Sequence, residues 1–233
     1  MRFSLLTLNV GELSQDDVHS SEWVECLARY IAEHNVSCAC LQKCEQSISS
    51  PLVDADSGVR TDNLAFQLSA RLIDLGLKYE MVWTPSRLPE HGRTAGCAIL
   101  GQLPMLANTR SEADGNEPVS ATQCAVAARF AVAPGILIDA CTTSIAGYGD
   151  RGAASVNQLR EFISRSQGDL GRRPAQTRRR GRPPRQASSG ARSEPVRIIL
   201  LAGDMPDDPS GSVASALQAD GFADVSQLAR PPA

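Results

Sequence analysis

Three apolar runs in this chain stop on polar residues: LLTL before Asn9, CACL before Gln42 and Lys43, and ILLAG before Asp204. Short apolar runs that end abruptly read as strands, and between them apolar residues recur at helical spacing. This alternation is the pattern of an α/β or α+β domain in which helices cover sheets. Open sheets of this class bind ligands in the crevice outside the carboxyl ends of their strands. Asn9, Gln42, Lys43 and Asp204 are therefore the first residues to consider as a site.

A strand over 2–9 opens the chain, followed by a helix near 21–34 with Val24, Leu27 and Ile31 on one stripe, and by a strand over 36–43. Asp62 is placed to cap a helix that carries Leu64, Leu68, Leu72 and Leu75 on one face and ends at Gly76. Strands are predicted at Tyr79–Thr84, Cys97–Leu100, Thr122–Val132 and Ile136–Thr143, the last two joined by a Pro134-Gly135 hairpin turn. Ser155 and Gln158 form a capping box ahead of a short helix. Val196–Ala202 reads as a fully buried strand, and Val213, Ala216 and Leu217 as one face of a last short helix. A length of 233 residues fits a single domain over 1–233.

Aromatic residues make up only 4% of the chain, so its core must be built mainly from Leu, Val, Ile and Ala. The seven cysteines are odd in number and include no CxxC pair. This argues against a disulfide framework and for a reducing, cytoplasmic compartment. Cys38 and Cys40 lie in an apolar run and read as small core residues, not as metal ligands. No apolar run is long enough to span a bilayer, and the opening MRFSLLTLNV, with one basic residue, reads as a strand instead of a signal peptide; no membrane partner is expected.

The net charge of -3 conceals a segregation. Residues 172–197 hold nine Arg against Glu194 alone, which leaves 14 basic and 25 acidic residues elsewhere, or -11. The stretch from about 168 to 195 is rich in Arg, Gly, Pro, Ser and Gln, so it buries too little apolar surface to order itself and is expected to be a disordered loop. Arg178, Arg179, Arg180, Arg182 and Arg185 have the charge density of a segment that binds nucleic acid or another polyanion. No aromatic residue is interleaved for base stacking, and the acidic body opposes docking. A tolerated surface insertion is the favoured reading of the two.

The segments LLTLNV, CLQKCEQSISSPLVDAD, TDNLAFQLSARLIDLGLKYEMVWTPS, AGCAILGQLP, VNQLREFI and IILLAGDMPDDP, in this order, resemble the endonuclease/exonuclease/phosphatase superfamily, the DNase I-like fold. The similarity is greatest to its bacterial sugar-phosphate phosphatase branch and runs from residue 1 to about 225, outside the Arg-rich stretch. It implies a four-layer sandwich, two mixed β-sheets flanked by helices. It also implies hydrolysis of a phosphoester with Mg²⁺ or Mn²⁺, on a phosphorylated small molecule or a nucleic acid. In that family a glutamate at the end of the second strand holds the metal and an Asn on the first assists. A GD-x-N Asp orients the attacking water while its Asn contacts phosphate, and two His residues complete the set.

On this sequence Asn9 matches the first motif and Asp204 the fourth, so the resemblance carries catalytic roles to both and metal binding to Asn9. The metal-binding glutamate is replaced by Lys43, which puts a cation where Mg²⁺ should sit. Glu45, two residues on, is the available substitute, displaced by roughly 6–7 Å along an extended strand. The third motif offers Thr143 or Ser144 in place of His, and Pro206 replaces the phosphate-contacting Asn. His19, His34 and His91 fall on none of the family's catalytic positions; His91, in a Gly-containing loop, is the one worth testing. The family's terminal motif and its strands are not found after GFADV. An open edge beside Val196–Ala202 is therefore expected, and with it self-association.

The leading expectation is a recognisable phosphoesterase scaffold, a pseudoenzyme whose hydrolase activity is lost or strongly reduced. One alternative is an active Mg-dependent phosphohydrolase with a displaced site at Asn9, Glu45 and Asp204. Another is a binding module that uses the Arg-rich loop. If residues 170–194 make few apolar contacts, limited trypsin digestion should cut there first, and their deletion should leave the thermal melt within a few degrees of the parent. Protection of Arg178–Arg185 in the free protein would show that the segment is docked.

Overall fold

The structure is a computed structural model that describes residues 2–11, 20–54, 56–86, 92–111, 124–145, 150–171, 195–205 and 211–225. Its eight strands form two sheets of four. The first holds β1 (Leu5–Asn9), β2 (Cys38–Ser47), β3 (Glu80–Pro85) and β4 (Arg93–Gly101) in the order β1-β2-β4-β3. The second holds β5 (Met105–Arg110), β6 (Cys124–Ala133), β7 (Ile136–Ser144) and β8 (Val196–Asp204) in sequence order. Both are mixed: β1 runs parallel to β2 and β8 parallel to β7, and the other pairs are antiparallel. The four-layer expectation therefore holds.

Alternation of side chains along the strands builds the three apolar layers. Helices α1 (Ser20–Glu33) and α2 (Leu64–Asp74) lay Val24, Ala28, Ile31, Leu68 and Leu72 on Ala39, Leu41 and Leu100 of the first sheet. Between the sheets, Cys38, Cys40, Val82 and Ile99 meet Val126, Ala128, Phe130 and Ala140. On the outer face of the second sheet, Ala125, Ala127 and Cys141 pack against α3 (Asp150–Gly171) and α4 (Ser212–Ala219) through Val156, Leu159, Phe162, Val213 and Leu217. None of the described helices is long and apolar enough to cross a membrane.

Several local expectations need correction. The α2 cap is Asn63, whose side chain accepts from Phe66 N, while Asp62 instead accepts from Ser47 N at 2.7 Å and ties the helix start to β2. Gly76 ends α2 as expected, at φ +79°. Helix α3 begins at Asp150, so Ser155 and Gln158 lie within it and not at its cap, and it continues to Gly171. The loop expected from about 168 therefore starts too early: Leu170 is buried in the outer core layer, and a deletion that begins at 170 would remove it. Strand β5 was not anticipated, because MLANTR has little strand propensity and is paired on one side only. Strand β8 is not fully buried: Val196 is 62% and Ile198 44% exposed, and among the described residues it forms the edge of its sheet. Residues 172–194, with Arg178, Arg179, Arg180, Arg182 and Arg185, lie outside the described residues, as do His19, His91 and Pro206.

The far end of α3 is held by a buried ion pair. Arg129 on β6 donates from Nε and Nη2 to both carboxylate oxygens of Asp139 on β7, at 2.6 and 2.5 Å, and from Nη1 to Leu170 O at 2.5 Å. The two side chains are 4% and 6% exposed. A cation at a helix C-terminus satisfies an orphan carbonyl and the helix dipole together, which accounts for a helix longer than its apolar stripe suggests. Arg129→Ala should destabilise by about 3–5 kcal/mol because it strands the Asp139 carboxylate in the core. Urea unfolding checks this, and a loss below about 1 kcal/mol would show that water or another cation reaches Asp139.

Candidate active site

The crevice at the carboxyl ends of the parallel pairs brings Asn9, Gln42, Lys43 and Asp204 together. Asn9 and Gln42 are register partners at the end of β1 and β2, and Ser144 and Asp204 are partners at the end of β7 and β8. Gln42 is 1% exposed and spans the gap between the sheets. Its Nε2 donates to Thr142 Oγ1 on the second sheet at 2.8 Å and to Thr7 Oγ1 on β1 at 3.1 Å.

A bulge follows at once. The β2–β4 register breaks between Leu41 and Cys44, and Lys43 takes a left-handed backbone conformation, φ +56°. For a non-glycine residue this costs on the order of 1 kcal/mol. The bulge moves Cys44 to the helix-facing layer and aims Lys43 across the crevice, where Nζ lies 2.8 Å from Asp204 Oδ2. Gly11 is required beside it: a Cβ there would meet Lys43 Cδ at 2.7 Å and Cβ at 2.9 Å. Asn9 Oδ1 accepts from Gly11 N at 3.0 Å, which fixes this turn and occupies the amide oxygen.

Glu45 does not join Asn9 and Asp204. Its carboxylate is taken by Arg93 from the neighbouring strand, Nε to Oε2 at 2.9 Å. The third-motif positions are committed as well: Thr143 is 1% exposed and donates to Cys124 O at 3.0 Å, and Ser144 is 8% exposed. His34 lies at the end of α1, where Nδ1 is 2.9 Å from Tyr30 O and the ring stacks on Tyr30, far from this chemistry in the chain's architecture. The cysteines are free and, except for Cys26, buried. Desolvation pushes the Cys44 and Cys141 thiols well up, which suits packing and not ligation.

The divalent metal that the resemblance implies does not fit this donor set. Hard cations such as Mg²⁺ and Mn²⁺ need several oxygen ligands with free lone pairs. Asp204 faces an ammonium, Glu45 a guanidinium, and the Asn9 oxygen a backbone N–H. Among the described residues, no group of three or more His, Cys, Asp or Glu side chains is arranged to hold a metal ion. Sequence reasoning found Asn9, Lys43 and Asp204 but missed the Gln42–Thr142 link, which depends on which sheet faces which, and the role of Gly11, which depends on how the β2 bulge turns Lys43 towards the end of β1.

No protein-family model matches the chain, and no curated protein sequence matches it. Solved structures do. An endonuclease/exonuclease/phosphatase family protein from Leptotrichia buccalis C-1013-b superposes with a TM-score of 0.65 at 18% identity, over 94% of this chain and 74% of its own. One from Bacteroides thetaiotaomicron gives 0.57 at 13% identity, over 94% and 69%. The human Nocturnin catalytic domain with bound sulfate anion gives 0.56 at 16% identity, over 93% and 68%. Identities this low carry the architecture and not the chemistry. Sheet order, layers and these superpositions agree that the chain has the endonuclease/exonuclease/phosphatase fold, the DNase I-like four-layer sandwich.

Proposed function

We propose that this chain keeps the endonuclease/exonuclease/phosphatase scaffold while its metal-dependent phosphoester hydrolysis is lost or strongly reduced. The observation that carries this reading is the Lys43 ammonium 2.8 Å from Asp204. At an effective dielectric of about 20, a divalent ion about 4 Å from that ammonium would be repelled by about 8 kcal/mol. Lys43 is 47% exposed and can swing into water to relieve this. Among the described residues, what then remains is one free carboxylate, which is too little to hold a hard cation and orient an attacking water at once. The alternative site at Asn9, Glu45 and Asp204 would need the Arg93 and Lys43 pairs to open together.

The ligand class this reading inherits is a phosphorylated small molecule or a nucleic acid. It is supported by the sulfate in the Nocturnin structure and by a D. rerio TDP2 structure complexed with single strand DNA product. The same reading takes 1–233 as one domain with the Arg-rich stretch inserted before β8. The unpaired thiols support a reducing, cytoplasmic setting.

The purified protein should turn over small phosphate esters and DNA no faster than a buffer blank with Mg²⁺ or Mn²⁺ added, and calorimetry should detect no tight binding of either ion. Metal-stimulated turnover by the unaltered chain would overturn the proposal. Lys43→Glu alone should also stay at background, because groups that act as a unit recover little when only one is restored. A clear metal-dependent gain in that variant would show that the remaining groups suffice.

A further inference from the structure

The layer between the sheets holds thiols that take no part in the crevice. Cys38, Cys40, Cys97 and Cys124 all face it. Cys97 on β4 and Cys124 on β6 belong to opposite sheets, and their Sγ atoms are in contact at 2.9 Å. Cys97 Sγ is also 3.6 Å from Cys124 O, the carbonyl that accepts from Thr143 Oγ1. The other cysteines are less well placed for pairing. Cys44 and Cys141 belong to the two outer layers, and Cys26 is exposed on α1. Cys38 and Cys40 stand two residues apart on one strand, which sets their Cα atoms about 6.6–6.8 Å apart, at the far limit for a disulfide.

The Cys97–Cys124 contact lies where the sheets converge. Cys97 falls opposite the bulge residues Gln42 and Lys43 in the β2–β4 register, and Cys124 is the register partner of Ser144, which pairs in turn with Asp204. At this end Gln42 reaches Thr142 across the gap at 2.8 Å, and Thr84 Oγ1 donates to Ser111 O at 3.5 Å. A disulfide bond is about 2.05 Å long, so from 2.9 Å the two sulfurs need approach by only about 0.9 Å.

We propose that Cys97 and Cys124 are a redox modification site: a low-molecular-weight disulfide oxidises the pair to an intramolecular disulfide that crosslinks the two sheets beneath the crevice. The thiolate of one cysteine attacks a sulfur of the oxidant, forming a mixed disulfide and expelling one thiolate. The other cysteine then attacks the protein-bound sulfur of that mixed disulfide and expels the second. The pair loses two electrons and two protons, and the oxidant leaves as two thiols. Burial, and then the neighbouring Cys124 thiol, push the Cys97 thiol up. The thiolate is the reactive form, so exchange is slow in the closed sandwich and faster at alkaline pH. The same burial shields the finished bond from reductant. Disulfides in reducing compartments are transient and redox-responsive, which makes the reduced contact the resting state there.

The full chain is incubated folded, at mildly alkaline pH, with oxidised glutathione, then alkylated and digested with trypsin without reduction. A parallel sample refolded from urea in the same buffer covers the case in which burial blocks the oxidant. Cleavage after Arg93, Arg110 and Arg129 puts Cys97 in 94–110 and Cys124 in 111–129, neither with a second cysteine. The two peptides should appear as one linked species that dithiothreitol separates. The linked protein should melt about 5–10 °C above the reduced one, because the crosslink constrains the unfolded chain. Cys97→Ala and Cys124→Ala should each abolish the linked peptide and the shift in the melt. If either variant fails to fold, the parent's peptide map decides. Peptides that stay unlinked in both samples, linkage through a different buried cysteine, or a crosslinked protein that melts no higher than the reduced one would each overturn the proposal.

Discussion

The bulge at Gln42 and Lys43 is the constraint on which the rest of the crevice depends. Up to Leu41, β2 alternates between the helix layer and the inter-sheet layer, and a strand continuing in that rhythm would carry Lys43 onto the helix side. One extra residue at the strand end changes the outcome. Gln42 keeps its place in the gap and bridges the sheets, Lys43 turns across to Asp204, and Cys44 resumes packing under the helices. Bulges re-aim side chains next to sites in this way. Here the re-aimed side chain is a cation.

The two cross-sheet contacts differ in what they contribute. The Gln42–Thr142 hydrogen bond is fully buried, so losing one partner would leave an unsatisfied polar group at a cost of about 1–3 kcal/mol. The Lys43–Asp204 pair is 47% and 27% exposed, and pairs so open to water contribute about 0–1 kcal/mol. The backbone strain at Lys43 is of the same order as that gain. The ion pair is therefore not a stability device. Its consequence is electrostatic: the carboxylate at the end of β8 is neutralised from within the chain.

Periodicity made an α/β domain with helices on sheets legible in the sequence, through runs such as CACL and the Leu64–Leu72 helix, while the four-layer arrangement was what the resemblance implied. Asn9, Lys43 and Asp204 were legible as strand-end residues for the same reason. What sequence spacing does not contain is register across sheets. Glu45 looked free because Arg93 is 48 residues away in the chain, and β8 looked fully buried because its composition is that of a buried strand. Asp62 and Asn63 both suit a helix cap, and only the approach of Ser47 decides between them. The α3 boundary was misplaced for a related reason: its C-terminus is held by Arg129, which belongs to another element altogether.

Fold and crevice rest on different atoms in this chain. The core layers consist mainly of Leu, Val, Ile, Ala and Cys side chains, with Tyr79, Trp83, Phe130 and Phe162 among them, and they include none of Asn9, Lys43 or Asp204. A substitution at a strand end facing the crevice therefore leaves the sandwich intact, and surface changes of this kind cost little stability. Phosphoester hydrolysis has no such tolerance, since a metal site fails when one hard ligand is replaced by a cation. A fold can outlast a reaction on these terms: in this crevice Lys43 pairs with Asp204, while the walls remain as the core placed them.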